Sequence, residues 1–479
     1  MAVLEHLEPK GVFRFFEDIC AIPHGSGNTK AISDYLVAFA KERGLEHYQD
    51  EINNVIIIAP ATPGYEQAEP VIIQGHMDMV CEQAADCTKD MSKEGLDLVV
   101  EGDRLFAKGT TLGGDDGIAV AMALALLDSD EYPHPRLEAV FTVDEETGMD
   151  GALGLDMSVL KGMRLLNIDS EEEGIFTVGC AGGAKVTMRL PIERESFEGK
   201  LLSIKLHGLK GGHSGAEIDK GRANADKLMA RLLSALDRQQ EMRLVSVCGG
   251  GKDNAIPLAA EALVCVSDAA GAKALAERMA ADFLREFRVN DGGVEISVSE
   301  GESKLLPMRK EHSRKAISLL VCPPNGIQVM SAEIEGLVQT SLNMGIVKCH
   351  ENELEIHISV RSSVASQKQM LLDTLERIAD IHGAAYSVHG DYPGWDYNPA
   401  SPLRELMEKV FVRCYGHEPI VGAIHAGLEC GLFIEKRPGL DCVSFGPDLQ
   451  EIHTCRETLF IESTRRTWKL LTEVLKEMK

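Results

Sequence analysis

The sequence predicts an α/β protein with a mixed, largely parallel sheet, interrupted by an inserted α+β domain. Three observations carry this. Apolar, β-branched runs alternate with helical segments up to residue 186, shorter alternating strands and amphipathic helices fill 187–391, and the apolar-strand style returns over 392–479. One domain is therefore discontinuous, 1–186 with 392–479, and 187–391 forms the second.

In chain order, Phe13, Phe16, Ile19 and Cys20 lie at helical spacing, and Ala31 to Ala40 repeats the pattern before Gly44 stops it. The period then changes. NVIIIAP, PVIIQGHMDMV, LEAVFTVDEETG and MRLLNIDSEEEG read as buried strands ended by Pro, Gly or acids, with the helix GIAVAMALALLDS between them. In the insert, KVTMRLPI and LLSIKLHGL read as strands and NADKLMARLLSALDRQ as an amphipathic helix. DNAIPLAAEALVCVSD followed by AKALAERMAADFLREF matches LNMGIVKCHENELEIHISVR followed by SQKQMLLDTLERIADIHG in its order of Asn, turn, strand and helix, which points to two degenerate repeats. YPGWDYNPASP is a linker, and DCVSFGPD returns to the first domain.

Composition narrows the function classes. Hydrophobic residues at 44% and charged residues at 26% are ordinary for a globular protein, and 479 residues exceed one core of usual size. Acids outnumber bases 75 to 49, and a formal charge of −26 repels nucleic-acid phosphate and anionic membrane alike. The twelve cysteines include no CxxC pair, so no disulfide framework is expected. MAVLEHLEPKGVFRFFEDIC lacks the basic start and apolar run of a secretory signal, and the longest apolar stretch, Ile118 to Leu127, is far short of the roughly 20 residues that span a bilayer. A cytoplasmic location follows as the default.

The chemistry-bearing residues fall where the apolar runs stop, the edge at which open α/β sheets place ligands. His76 closes one run, and Asp78, two residues on, points the same way and can reach the other imidazole nitrogen. Asp115 stands after Gly113 and Gly114 at the mouth of a helix, where a carboxylate suits a metal bridge; the lesser reading is that Asp115 or Asp116 merely caps that helix. Glu145 and Glu146 leave a strand together, one able to serve a metal and the other its water, although an acidic loop can also be plain solvated surface. Asp169 ends another strand, with Glu171, Glu172 and Glu173 facing solvent beyond it, and His453 could complete a site from across the sheet or be a surface residue. Two metals about 3.5–4 Å apart need a bridging carboxylate and roughly two more ligands each, close to this number of His, Asp and Glu positions.

QGHMDMV, GTTLGGDDGIA, TVDEETGMDG, NIDSEEEG, GCAGG, GLKGGHSG, DNAIP, PGW and IHAGLECGLF together resemble the bacterial aminoacyl-histidine (Xaa-His) dipeptidases, within the co-catalytic di-zinc family that also holds aminoacylases and carboxypeptidases. The resemblance runs over nearly the whole chain. It implies a zinc-exopeptidase catalytic domain with an inserted lid, two zinc ions with manganese or cobalt as substitutes, a small peptide substrate and a possible homodimer. It implies that His76 and Asp169 bind one zinc, Glu146 and His453 the other, and Asp115 both. Asp78 would orient His76, and Glu145 would be the general base. In the lid, His213 of GLKGGHSG would polarise the scissile carbonyl, while Asn254 and Arg361 would bind the substrate carboxylate, which suits the bidentate fork of arginine. Two departures from the family pattern stand out: Asp116 replaces a commoner neutral residue, and DLQEIHTCRE lacks proline around His453. The rival readings are an amidohydrolase acting on N-acyl amino acids, and a silent member that only binds metal or peptide, which the presence of both Glu145 and Asp78 disfavours.

Overall fold

Val55–Ala59, Val71–His76 and Leu137–Thr142 are buried at every position, as β-branched runs covered on both faces must be. In the computed structural model, which describes residues 3–479, they lie side by side in an eight-stranded sheet. Its order is Glu46–Gln49, Val55–Ala59, Leu137–Thr142, Val71–His76, Arg164–Asn167, Asp441–Ser444, Ile175–Cys180 and Ile420–Ile424. The four strands from Leu137–Thr142 to Asp441–Ser444 run parallel. Glu46–Gln49, Val55–Ala59 and Ile175–Cys180 pair antiparallel with their inner neighbours, so the sheet is mixed, with its parallel part in the centre.

Register decides what meets at the carboxyl edge. His76 stands opposite Thr142, and Gln74 opposite Asn167. Asp169 therefore comes level with His76, while Glu145 and Glu146 follow the Thr142 strand as a short helical turn, Glu145–Gly148. The helix Gly114–Leu127 is buried almost throughout, and Phe13, Phe16 and Ile19 of the helix Lys10–Cys20 are fully buried. A separate four-stranded sheet pairs Leu98–Glu101, Arg104–Ala107, Thr458–Phe460 and Leu449–Gln450. The turn between its last two members in the chain carries His453.

By compactness the chain divides into one unit of Met1–Gly179, Tyr397–Ala423 and Leu428–Lys479, and a second of Cys180–Asp396 and Ile424–Gly427. The second is built on a long antiparallel sheet whose order is Glu295–Glu300, Lys200–His207, Ala260–Val266, Met242–Gly249, Val338–Cys349, Glu353–Ser362, Gly182–Pro191 and Ala385–Tyr392. Its two halves share one plan. Reading outward from the central pair Gly249 and Val347, each half gives second, third, first and last strand of a strand-helix-strand-strand-helix-strand unit. The helices are Ala225–Gln239 and Ala269–Phe287 in one half, and Lys310–Val321 and Ala365–His382 in the other. The two segments matched in the sequence each supply the third strand and second helix of their half, so the repeat has a topological basis. Leucine and alanine at helical spacing on these helices pack with the alternating strand residues into one core.

Among the described residues no helix is long and apolar enough to cross a membrane, and no cysteine is in a disulfide.

Candidate metal centre

The carboxyl edge of the parallel strands gathers imidazoles and carboxylates within the first unit. His76 Nε2 lies 3.1 Å from Asp115 Oδ1 and 3.8 Å from Asp169 Oδ1. His453 Nε2 lies 3.2 Å from the other Asp115 oxygen and 3.0 Å from Glu146 Oε1. Asp115 thus turns one oxygen to each imidazole. Three sets of side chains bring ligand atoms within 4.8 Å of one another: His76 with Asp116 and Asp169, His76 with Glu145 and Glu146, and Asp115 with Glu146 and His453.

The backbone explains how each donor arrives. Gly113 has φ +68°, and Asp115 and Asp116 are non-helical, so the regular helix begins only after them and both carboxylates leave the helix axis. Neither acts as a simple cap. Asp116 also reaches the His76 backbone: its Oδ2 accepts that N–H at 3.2 Å. This requires Gly75, where a Cβ would stand 2.5 Å from that same oxygen. His453 sits at φ +57° in the turn after Leu449–Gln450, a two-residue strand too short to show any periodicity.

Asp78 serves three neighbours. The His76 Nδ1–H donates to the Asp78 carbonyl oxygen at 2.9 Å, with the Asp78 carboxylate 3.5 Å away. That arrangement leaves the Nε2 lone pair facing Asp115 and Asp169. The carboxylate also accepts the Glu145 backbone N–H at 3.1 Å and the Ser26 hydroxyl at 2.8 Å. Burial works against the Asp78 anion, but the His76 bond and these donors hold its pKa below the ordinary value.

The electrostatics favour added positive charge. Burial and the neighbouring acids Glu429, Glu146 and Asp115 raise the Glu145 carboxyl to about 8, against a lowering pull from His76. Asp116 and Asp169 are raised well above the carboxylate range, chiefly by burial. Asp115 and Glu146 draw the His453 imidazole up to about 10. A buried cluster with this excess of carboxylates over imidazoles is self-repelling unless cations sit among it. The donor set of nitrogen and oxygen fits divalent metal. Of the acids beyond Asp169, Glu171 and Glu172 are exposed, whereas Glu173 is held by Arg466 at 2.5 Å and the Tyr415 hydroxyl at 2.7 Å.

His213, Asn254 and Arg361 all belong to the second unit. His213 Nδ1 accepts the backbone N–H groups of Ala216 at 3.0 Å and Gly215 at 3.3 Å, so the ring proton resides on Nε2. Burial and the nearby Arg361 guanidinium lower the His213 pKa, which keeps the ring neutral. Asn254 is exposed, and its carbonyl accepts from Ser214 N at 2.8 Å. Arg361 is nearly buried; its Nη1 donates to the Tyr392 hydroxyl at 3.3 Å, and its Nε has no partner among the described residues.

Three further residues carried no role in the sequence reading, and a fourth, Asp116, had one only as a possible cap and an extra charge. His425 lies near Arg361 and His213, its Nε2 paired to Ser341 at 2.7 Å, and burial followed by those two neighbours lowers its pKa to about 4. Glu429 is fully buried and accepts from Gln74 at 2.5 Å and Thr142 at 2.7 Å, one tier below His76. Asp116 was visible as extra charge, not as a partner of the His76 backbone. Glu457 binds the backbone of the Asp115 loop.

The profile of peptidase family M20/M25/M40 matches residues 72–477. The chain is 38% identical over 485 residues to the cytosol non-specific dipeptidase of Escherichia coli (strain K12), covering 100% of this chain and 99% of that one. It superposes on the crystal structure of aminoacylhistidine dipeptidase from Vibrio alginolyticus with TM-score 0.92 and 36% identity, over 99% of this chain and 97% of that one. Aminopeptidase PepT from Bacillus cereus ATCC 10987, at TM-score 0.57 and 16% identity over 98% and 99% of the two chains, shares the fold.

Proposed function

We propose that this chain, which belongs to peptidase family M20/M25/M40, is a metallo-dipeptidase that takes Xaa-His and other dipeptides in the cytoplasm. The observation that carries the reading is Asp115, whose two oxygens face His76 and His453 at 3.1 and 3.2 Å. In this reading His76 and Asp169 would hold one zinc, Glu146 and His453 a second, and Asp115 would serve both. Such ions lower the pKa of a bound water to about 7 and polarise a carbonyl oxygen.

The rest is the work of side chains. Glu145, beside Glu146 but outside the Asp115 pairings, takes the proton of the attacking water and returns it to the leaving amine. Asp78 holds His76 in the tautomer its Nε2 needs and fixes the Glu145 backbone at 3.1 Å. The neutral His213 offers Nε2–H to the developing oxyanion. Arg361 and Asn254 bind the free carboxylate of the substrate, Arg361 with a buried Nε that lacks a partner among the described residues. Self-association into a homodimer belongs to the same reading, and sedimentation of the purified chain tests it.

The deciding experiment compares free dipeptides with N-acetyl amino acids, before and after chelation. Hydrolysis of dipeptides that stops on chelation and returns with zinc is expected. Turnover confined to N-acetyl amino acids, or none with metal bound, rejects the proposal. Within that assay Arg361→Ala should raise KM for dipeptides about 10- to 100-fold with little change in kcat, since charge-assisted hydrogen bonds contribute ~1.5–3 kcal/mol. An unchanged KM removes Arg361 from the carboxylate site.

A further inference from the structure

The loop Leu112–Asp115 has four consecutive backbone N–H groups and no helical or strand partner for them. Gly113 at φ +68° and the non-helical Asp115 and Asp116 turn these donors to one side, and buried amides left unpaired are costly. All four go to one side chain. Glu457 Oε2 accepts from Leu112 at 2.7 Å and Gly113 at 3.0 Å, and Oε1 from Gly114 at 2.8 Å and Asp115 at 3.3 Å. Glu457 is 3% exposed, so water does not compete. A run of amides converging on an anion in this way is a backbone nest, here filled by the protein's own carboxylate.

What separates this from an ordinary helix cap is where the carboxylate comes from. A cap is local, whereas Glu457 lies 342 residues beyond Asp115 and closes the turn that carries His453, its N–H donating to Thr454 O at 3.1 Å. It ties together two loops whose side chains, Asp115 and His453, meet at 3.2 Å.

We infer that Glu457 is a positioning residue that fixes the Asp115 loop against the His453 turn, so that Asp115 presents one oxygen to each metal position. This rests on the reading of Asp115 as the shared metal ligand. It assigns Glu457 no contact with substrate; it acts through Asp115.

The test uses Glu457→Gln in the full chain. The amide keeps one acceptor oxygen and sets an NH2 group against two of the four donors at nearly unchanged volume. Zinc alone is titrated into chelator-treated protein, with the visible spectrum of the cobalt form, kcat and KM read in parallel. The wild type should take two ions. In Glu457→Gln the weaker equivalent should lose about 10- to 100-fold in affinity, the range seen for groups that orient metal ligands, the cobalt spectrum should change, and kcat should fall with KM for dipeptides unchanged. Gly114→Ala supplies a second route should the first variant not fold: its Cβ would meet Leu449 at 2.7 Å and Glu457 Oε1 at 3.2 Å, displacing the cradle with the carboxylate present, and the same metal defect is expected. A folded variant that binds both ions as the wild type does, with wild-type kcat, overturns the inference whatever its melting temperature. A wild type that takes up no zinc overturns instead the metal reading beneath it.

Discussion

Glu145→Gln should leave the protein folded with its metal content intact while kcat drops by about 10²- to 10⁴-fold, the usual contribution of a positioned general base. The substitution is nearly isosteric and removes only the ability to accept a proton. Glu145 stands in none of the close pairings that join Asp115 to His76 and to His453, so ligand geometry should survive. Its backbone N–H still reaches Asp78, which keeps the turn in place. Metal analysis and kinetics on one preparation provide the check. Lost metal together with lost activity would make Glu145 a ligand, and retained turnover would deny it the role of base.

The different fates of neighbouring residues show what a sequence can and cannot carry. The strands Val55–Ala59, Val71–His76 and Leu137–Thr142 were legible because a strand covered on both faces must be apolar throughout, and the α/β class followed. Strand ends were legible for the same reason: a histidine or acid that stops such a run lies at the sheet edge, and the parallel register then brings His76, Asp169 and the Glu145–Glu146 turn to one place. Asp115 and Asp116 mark the limit. Adjacent in sequence, they go to opposite duties because Gly75 opens space behind His76 for Asp116 alone. Nothing in the spacing of GGDDG distinguishes them. Glu429 and Glu457 were silent for another reason. Their partners are Gln74 and Thr142 in one case and four backbone amides in the other, hundreds of residues away, and hydrophobic periodicity reports which positions are buried without saying which polar groups pair there. His425 lay inside a motif whose resemblance was plain, yet its pairing with Ser341 depends on a strand more than eighty residues upstream.

The arrangement around Asp115 also determines what its removal should do. On the proposed ligand set, Asp115→Ala removes the carboxylate that His76 and His453 share, and His76 with Asp169 and Glu146 with His453 would be left to hold one ion each without a common ligand. Affinity should fall by more than about 100-fold, the upper end of what groups outside the ligand shell contribute, and dipeptide hydrolysis should vanish with it. Thermal melting separates this from a merely structural defect. Ligand at a thousand times its Kd stabilises the native state by about 4 kcal/mol, and a site weakened 100-fold gains only about 1.4 kcal/mol at the same concentration. The rise in Tm that zinc produces in the wild type should therefore shrink to roughly a third in the variant, measured against each protein's own metal-free baseline. A zinc-dependent rise as large as that of the wild type would mean that the ions are held without Asp115, and the two short distances from its carboxylate to His76 and His453 would then describe ordinary ion pairs.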